Sequence, residues 1–514
     1  MKPILQRGRN CWRIPLVREA GLLVDGRSYY RAFCEAARQS RRFILLAGWQ
    51  FDSEVALLRG EDAKAAGAKE DVRLLPFLNS LCEQNPKLRV YILAWDFSVL
   101  YTFKREFLQS LRFQWNAHER VQFLFDNSHP IGASHHQKFV VVDGVVAFVG
   151  GMDLCEGTWD DRDHRIDHPL RVRAGAEPSP SRHDVQACVT GGAARRLARL
   201  FVRRWRQAGG GRLWVRKRLT GRLRVPLDLR LAARRVAISR TFGETLVPRQ
   251  KPVTEVRSLF LDAIGGAEKL IYAENQYFAS EAVFAALVAR MQAPRRSKLQ
   301  IVLILPRQPE AFIEEIGLGT TQARYLRGLT EVATATGHAI GIYNTRSGAA
   351  ATAGTHTFIH AKVMIVDDQF LTVGSANFAN RSMGFDSELN LTWQAGLPWH
   401  SRLTRSICAA RVDLLAEHCG VVNDDDRQRL AELVGLVDFL NKLADQPGFR
   451  LCQHRIGPQL ISEWVTALTP HDLIIDPKKS VLTEQLEDFV GTDQNGLFTK
   501  GLSLLNQHLF GDKH

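Results

Sequence analysis

The chain alternates short runs of β-branched and aromatic residues with longer stretches whose apolar positions recur every three or four residues. Strands are predicted over residues 43–48, 89–94, 138–142 and 145–149, and again over 270–273, 301–305, 362–366 and 370–373. Gly, Asp and Pro bound these runs. Between them, 282–291 and 322–334 carry the helical period. So does 194–208, where Leu197, Leu200, Phe201 and Trp205 line one face and arginines occupy the others. After Gly420 the strand signals thin, and 424–443 and 481–490 read as helices of a C-terminal extension. Two successive sets of alternating strands and helices predict an α/β chain built from two sandwich-like halves.

Both halves carry one motif. His136-Gln137-Lys138 followed by Asp143 recurs as His360-Ala361-Lys362 followed by Asp367, each reading H-x-K-x4-D. Fourteen residues past the two histidines stand Gly150 and Gly374, and seventeen past them stand Asp153 and Asn377. Upstream, apolar runs end in Gly48-Trp49-Gln50-Phe51-Asp52 and in Glu274-Asn275-Gln276-Tyr277-Phe278. One such string arises by chance, but two in register with matched flanks make an internal repeat, joined as a pseudo-dimer. The expected division is 1–246 for the first half, 247–422 for the second and 423–514 for the helical extension, with the link between halves near 243–252.

Composition narrows the class. With 514 residues, 45% hydrophobic and 24% charged, the chain is a globular protein with ample core, which excludes disordered, collagen-like and disulfide-dense types. Nowhere is there the run of about 18 to 20 apolar residues that a spanning helix needs. Arg7, Arg9, Arg13 and Arg18 interrupt the place of a signal core, so no cleaved signal is expected. Eight scattered cysteines without a C-x-x-C pair point to free thiols in a reducing, cytoplasmic setting. The net charge of +14 has one source, because residues 191–240 hold sixteen Arg and Lys against the single acid Asp228. An anionic membrane surface is the partner expected there ahead of nucleic acid, with an ordinary solvated helix face as the alternative.

Side chains two apart on a strand share a face, so each motif projects an imidazole and an ammonium together. That set suits attack on a phosphodiester. Two lysines and an amide donate to the non-bridging oxygens. One neutral imidazole attacks phosphorus, and the other, protonated, gives its proton to the leaving oxygen. No metal or cofactor is called for, since H-E-x-x-H, EF-hand and P-loop patterns do not occur. Asp143 and Asp367 sit at an odd offset, and Asp143-Gly144 is a hairpin signal, so these acids read as strand ends.

At these residues the chain resembles the phospholipase D superfamily, and its phospholipase D enzymes more than its nucleases or cardiolipin synthases. The resemblance spans residues 43–420 and rests also on Ser134-His135-His136-Gln137-Lys138, Gly150-Gly151-Met152-Asp153, Trp159-Asp160, His183-Asp184-Val185 and Asn380-Arg381-Ser382-Met383. It implies a monomeric pseudo-two-fold fold, one active site between the halves and a covalent phosphohistidine. It makes His136 the nucleophile and His360 the general acid and then base, with Lys138, Lys362, Asp143 and Asp367 completing the catalytic motifs. Ser375, Asn377 and Asp153 are the implied substrate-binding residues. Glu388, 28 residues after His360, is the implied support for His136 across the interface. The same offset in the first half falls on His164, so Asp160 is taken as the second supporting acid. The implied activity is hydrolysis of phospholipids to phosphatidic acid; a phosphatidyltransferase and a nuclease are the alternatives.

Overall fold

The computed structural model describes residues 3–95, 113, 115–130, 132–173, 177–213, 215, 223–246, 249–307, 312–348, 355–396, 401–455 and 476, residues 312–317 as backbone only. Two mixed sheets repeat one plan. In the first, the order is Ala20–Val24, Val185–Thr190, Val146–Gly150, Phe139–Val142, Phe43–Gly48, Arg89–Trp95, Val121–Asp126. In the second it is Ala237–Phe242, Glu388–Gln394, Phe370–Gly374, Val363–Val366, Leu270–Glu274, Gln300–Ile304, Ala339–Arg346. Pairing directions match strand for strand: four antiparallel contacts, then two parallel ones. The repeated motif therefore lies on equivalent central strands.

The strands are apolar on both faces because both are covered. Ile44 and Leu46 point to a core with the helices Asp25–Arg38 and Leu74–Gln84, whereas Phe43, Leu45 and Ala47 point to a core shared by the halves. The second half does the same. Ile271 and Ala273 meet the helices Glu255–Gly266 and Glu281–Gln292, while Leu270 and Tyr272 enter the shared core. Burying each Leu or Ile side chain contributes about 1.5 to 3 kcal/mol. Helices Gly192–Gln207 and Arg402–Cys419 complete the shared layer. The latter starts at Ser401, whose hydroxyl accepts from the Thr404 amide, and stops at Gly420 with φ +72°.

Short strand contacts cross between the halves at two equivalent places. Arg182–His183 of the first half runs parallel to His356–Ile359 of the second, with Ile359 opposite His183. His135 bridges in parallel to Ser387. Each crossing ends immediately before a motif histidine.

Strand Ala237–Phe242 already belongs to the second sheet, ahead of the link expected at 243–252. The expected helical tract 424–443 forms two helices, Asp424–Ala431 and Leu436–Leu443, and Leu451–Gln453 returns as a strand on Ala339–Arg346. The helix expected at 481–490 lies outside the described residues. All eight cysteines are unpaired. Among the described residues no helix is long and apolar enough to cross a membrane.

Candidate active site

His136 and His360 each stand one step past a crossing contact, so each meets an acid of the opposite half. His136 Nδ1 lies 3.0 and 3.1 Å from the carboxylate oxygens of Glu388, at the start of strand Glu388–Gln394. His360 Nδ1 lies 2.6 Å from Asp184 Oδ2, immediately before strand Val185–Thr190. Sheet register makes the two acids equivalent: Gln186 is opposite Gly150 as Asn390 is opposite Gly374, and the acids stand two residues before these partners. Since each Nδ1 is occupied, the tautomer that donates to the carboxylate leaves Nε2 as the reactive nitrogen.

The expected pairing of His136 with Glu388 is present in this geometry, but Asp160 does not reach His360. Asp160 is fully buried against His164 Nδ1 at 2.9 Å, Arg171 Nη1 at 2.9 Å and the Arg182 amide at 2.8 Å. Counting 28 residues failed in the first half because a longer loop separates Gly150 from strand Val185–Thr190 than separates Gly374 from Glu388–Gln394. The usable signal was His183-Asp184-Val185, an acid just before an apolar run. Gly151 belongs with it: a Cβ there would lie 2.5 Å from the Asp184 carboxylate.

Four other residues of the expected set make the following contacts. Asp143 and Asp367 are not at the imidazoles but at the far ends of the motif strands, both in left-handed backbone with φ +53°. Asp143 accepts from the amides of Arg41, Arg42 and Phe43 at 2.7 to 2.9 Å, and Asp367 from those of Glu268, Lys269 and Leu270 at 2.7 to 2.8 Å. They tie the motif strand to the start of its neighbour. Ser375 donates to Glu388 and accepts from the Leu389 amide, which ties it to the acid beside His136. Asp153 accepts from Lys138 Nζ at 2.5 Å and from the amides of Trp49 and Gln50, so it neutralises a lysine.

Asn377 is buried, and its side-chain oxygen, an acceptor, has no hydrogen-bond partner among the described residues. Lys362, which has no acid at the place of Asp153, donates to Gln276 Oε1 at 3.0 Å and to the His360 carbonyl. The two lysines are therefore unequal in surroundings though equal in sequence.

Several cationic groups act on His360. Burial first, then Arg182, Lys362, Lys138 and His136, holds His360 well below the ordinary imidazole range. Burial pushes Lys362 down to about 7 against the pull of Asp184, and pushes Asp184 up to about 6 against Lys362 and Arg182. An entering anion relieves this crowding of cations and favours protonated His360 and Lys362.

A family profile described as phospholipase D matches residues 36–230, and one described as cardiolipin synthase, PLD-like domain, matches residues 260–405. Each covers one motif. The chain belongs to the phospholipase D superfamily.

Among phospholipase D relatives, phospholipase D alpha 1 of Zea mays is 23% identical over 82% of this chain and 68% of its own length. Phospholipase D A of Dictyostelium discoideum is 25% identical over 72% of this chain, and phospholipase D1 of Saccharomyces cerevisiae 25% identical over 70%. The matches take in only 32% and 26% of those two longer proteins. The structure of a phosphatidylserine synthase from Haemophilus influenzae Rd KW20 superposes with a TM-score of 0.50 at 13% identity, covering 84% of this chain and 94% of that one, a likeness of fold. Membership in the phospholipase D superfamily makes the chain a phosphodiesterase of the phospholipase D type.

Proposed function

We propose that the chain is a phospholipase D that hydrolyses the distal phosphodiester of glycerophospholipids to phosphatidic acid and a free headgroup, and that passes the phosphatidyl group to small alcohols. The observation that carries this reading is the crossed pair of acid–imidazole contacts, in which each acid takes an Nδ1 and leaves the Nε2, with Arg182, Lys362, Lys138 and His136 adding positive charge around His360.

In the first step His136 Nε2 bonds to phosphorus, and the bond from phosphorus to the headgroup oxygen breaks as that oxygen takes a proton from His360 Nε2. Glu388 holds the developing charge on His136. In the second step His360 takes a proton from water, the water oxygen bonds to phosphorus, and the P–N bond breaks to restore neutral His136. Lys138, Lys362 and Asn377 donate to the phosphoryl oxygens. No step asks for a metal or cofactor.

The profile over 260–405 favours a second reading, a phosphatidyltransferase in which a lipid hydroxyl replaces water. For the membrane-facing side, the exposed Arg195, Arg199, Arg203 and Arg206 on helix Gly192–Gln207 support contact with anionic lipid. Eight unpaired thiols support a reducing compartment. The chain acts as a monomer with one site, divided into two halves and an extension near the boundaries drawn from sequence.

Incubating the protein with phosphatidylcholine vesicles and a primary alcohol tests the reading. Phosphatidyl-alcohol should form at the expense of phosphatidic acid, and His136→Ala should abolish both. Cleavage of DNA with all lipids untouched, or full activity of His136→Ala, would overturn it.

A further inference from the structure

Behind the site lies a second, fully enclosed cluster that the phosphodiester chemistry does not use. Asp25 begins helix Asp25–Arg38, His164 lies in the loop after Gly151, His183 precedes Asp184, and Glu417 comes from helix Arg402–Cys419 of the other half. The donor atoms converge. His164 Nε2 is 3.4 Å from Asp25 Oδ2 and 3.1 Å from Glu417 Oε1; His183 Nδ1 is 3.2 Å from Asp25 Oδ1 and 2.8 Å from Glu417 Oε1. We propose that Asp25, His164, His183 and Glu417 form a structural site for one first-row transition dication, with zinc as the reference ion.

Four features argue for a cation at their centre. Two imidazole nitrogens and two carboxylates make a donor set suited to tetrahedral zinc, whereas calcium and magnesium take six or more oxygens. With bonds of about 2.0 to 2.1 Å, neighbouring ligand atoms stand about 3.3 to 3.4 Å apart, close to three of the four separations here. The outward nitrogen of each imidazole meets a further carboxylate: His164 Nδ1 is 2.9 Å from Asp160 Oδ2, and His183 Nε2 is 2.9 Å from Glu274 Oε2. That is the arrangement by which metal-binding histidines are oriented and made more basic. Finally, Asp25 Oδ2 is completely buried and has no hydrogen-bond partner among the described residues, though it points at His164 Nε2.

The cluster draws positive charge strongly. Asp25, Asp160 and Glu417 each place a carboxylate oxygen within 3.4 Å of a His164 ring nitrogen. Two protons are thus the competing occupants of the same cage. A neighbouring trio of His183, Glu274 and His418 offers fewer donors, and Glu274 already accepts from Tyr272.

The position gives the ion a purpose. The Asp25 amide donates to the Asp184 carbonyl at 2.8 Å, and the Asp184 amide donates to Asp25 Oδ1 at 3.1 Å. A dication on Asp25 would clamp the residue that holds His360, and through Glu417 would join the two halves. It takes no part in bond making.

Elemental analysis of the full chain, expressed in zinc-, manganese- and iron-replete medium and purified without chelator, tests the site. About one equivalent of a first-row metal per chain is expected, with a melting temperature that falls on prolonged chelation and recovers with added zinc. Folded His164→Gln and Asp25→Asn should lose the metal. A metal-free native protein whose melting temperature ignores both chelator and zinc would overturn the proposal and leave protonated histidines as the occupants. Full metal retention by either folded variant would place the ion elsewhere. Should both variants fail to fold, the metal content and chelator response of the native protein decide.

Discussion

Asp184 Oδ2 stands 2.6 Å from His360 Nδ1, although the two residues are 176 positions apart and belong to opposite halves. The contact exists because His183 pairs with Ile359 in parallel, which brings the next residue of each strand side by side. Glu388 reaches His136 by the equivalent route, through the bridge of His135 to Ser387. Each motif histidine takes its acid from the opposite half.

Asp184→Asn removes the carboxylate that orients His360 and stabilises its charged form. We expect kcat on a natural phospholipid to fall by about 10²- to 10⁴-fold, the usual range for lost acid–base assistance. The fall should be much smaller with an activated phenolic leaving group, which hardly needs a proton. Equal losses on both substrates would remove His360 from the leaving-group step.

The pH profiles should separate free from loaded enzyme. A general acid loses activity as pH rises through its pKa. In the free site burial, Arg182 and the lysines hold that pKa low; a bound phosphodiester raises it. The descending limb of kcat should therefore lie at higher pH than that of kcat/KM. Arg182→Gln removes one repelling cation, so the kcat/KM limb should move to higher pH.

Sulfate keeps its charge across the working range and so reports protons on the protein alone. Lys362 in the free site titrates near 7, and the bound anion holds its proton on. Sulfate affinity, measured by thermal shift or calorimetry, should fall as pH rises from about 6 to about 9 by this linkage. Lys362→Met should weaken binding and flatten the slope.

Asp143→Ala should act on stability and leave chemistry alone. The change strips a carboxylate from three backbone amides, and each hydrogen bond to a charged group contributes about 1.5 to 3 kcal/mol. The melting temperature should drop while kcat of the folded fraction changes little. A large fall in kcat with normal melting would restore a catalytic role.

The arginines of helix Gly192–Gln207 should divide into two groups. Reversing the exposed Arg195, Arg199, Arg203 and Arg206 should weaken binding to anionic vesicles and its salt dependence, with turnover of a soluble diester retained. Arg204 belongs to neither lipid nor solvent. It is buried, with Nη2 2.9 Å from Asp126 Oδ2 and Nη1 3.4 Å from Gln137 Oε1. Arg204→Met takes the guanidinium from buried Asp126, which keeps Ser128 and His135 as partners, and should cost at most about 3 to 5 kcal/mol of stability, read by denaturant unfolding.

The sequence by itself determined the repeat, the α/β class and the paired motif residues, because these are written in short periods. A strand alternates its faces every two residues, so His136 with Lys138 and His360 with Lys362 declare themselves wherever the strand lies. The hairpin signal likewise exposed Asp143 as a strand end. Only the tertiary structure decided what each histidine leans on. Asp184 follows His136 by 48 residues and Glu388 follows His360 by 28, so spacing hides an equivalence that sheet register makes plain. The same holds for Asp153, Ser375, Arg204 and the Asp25–His164–His183–Glu417 cluster. Each is a polar residue whose task depends on the partner that satisfies it after burial, and the partner is chosen by strands and helices far apart along the chain.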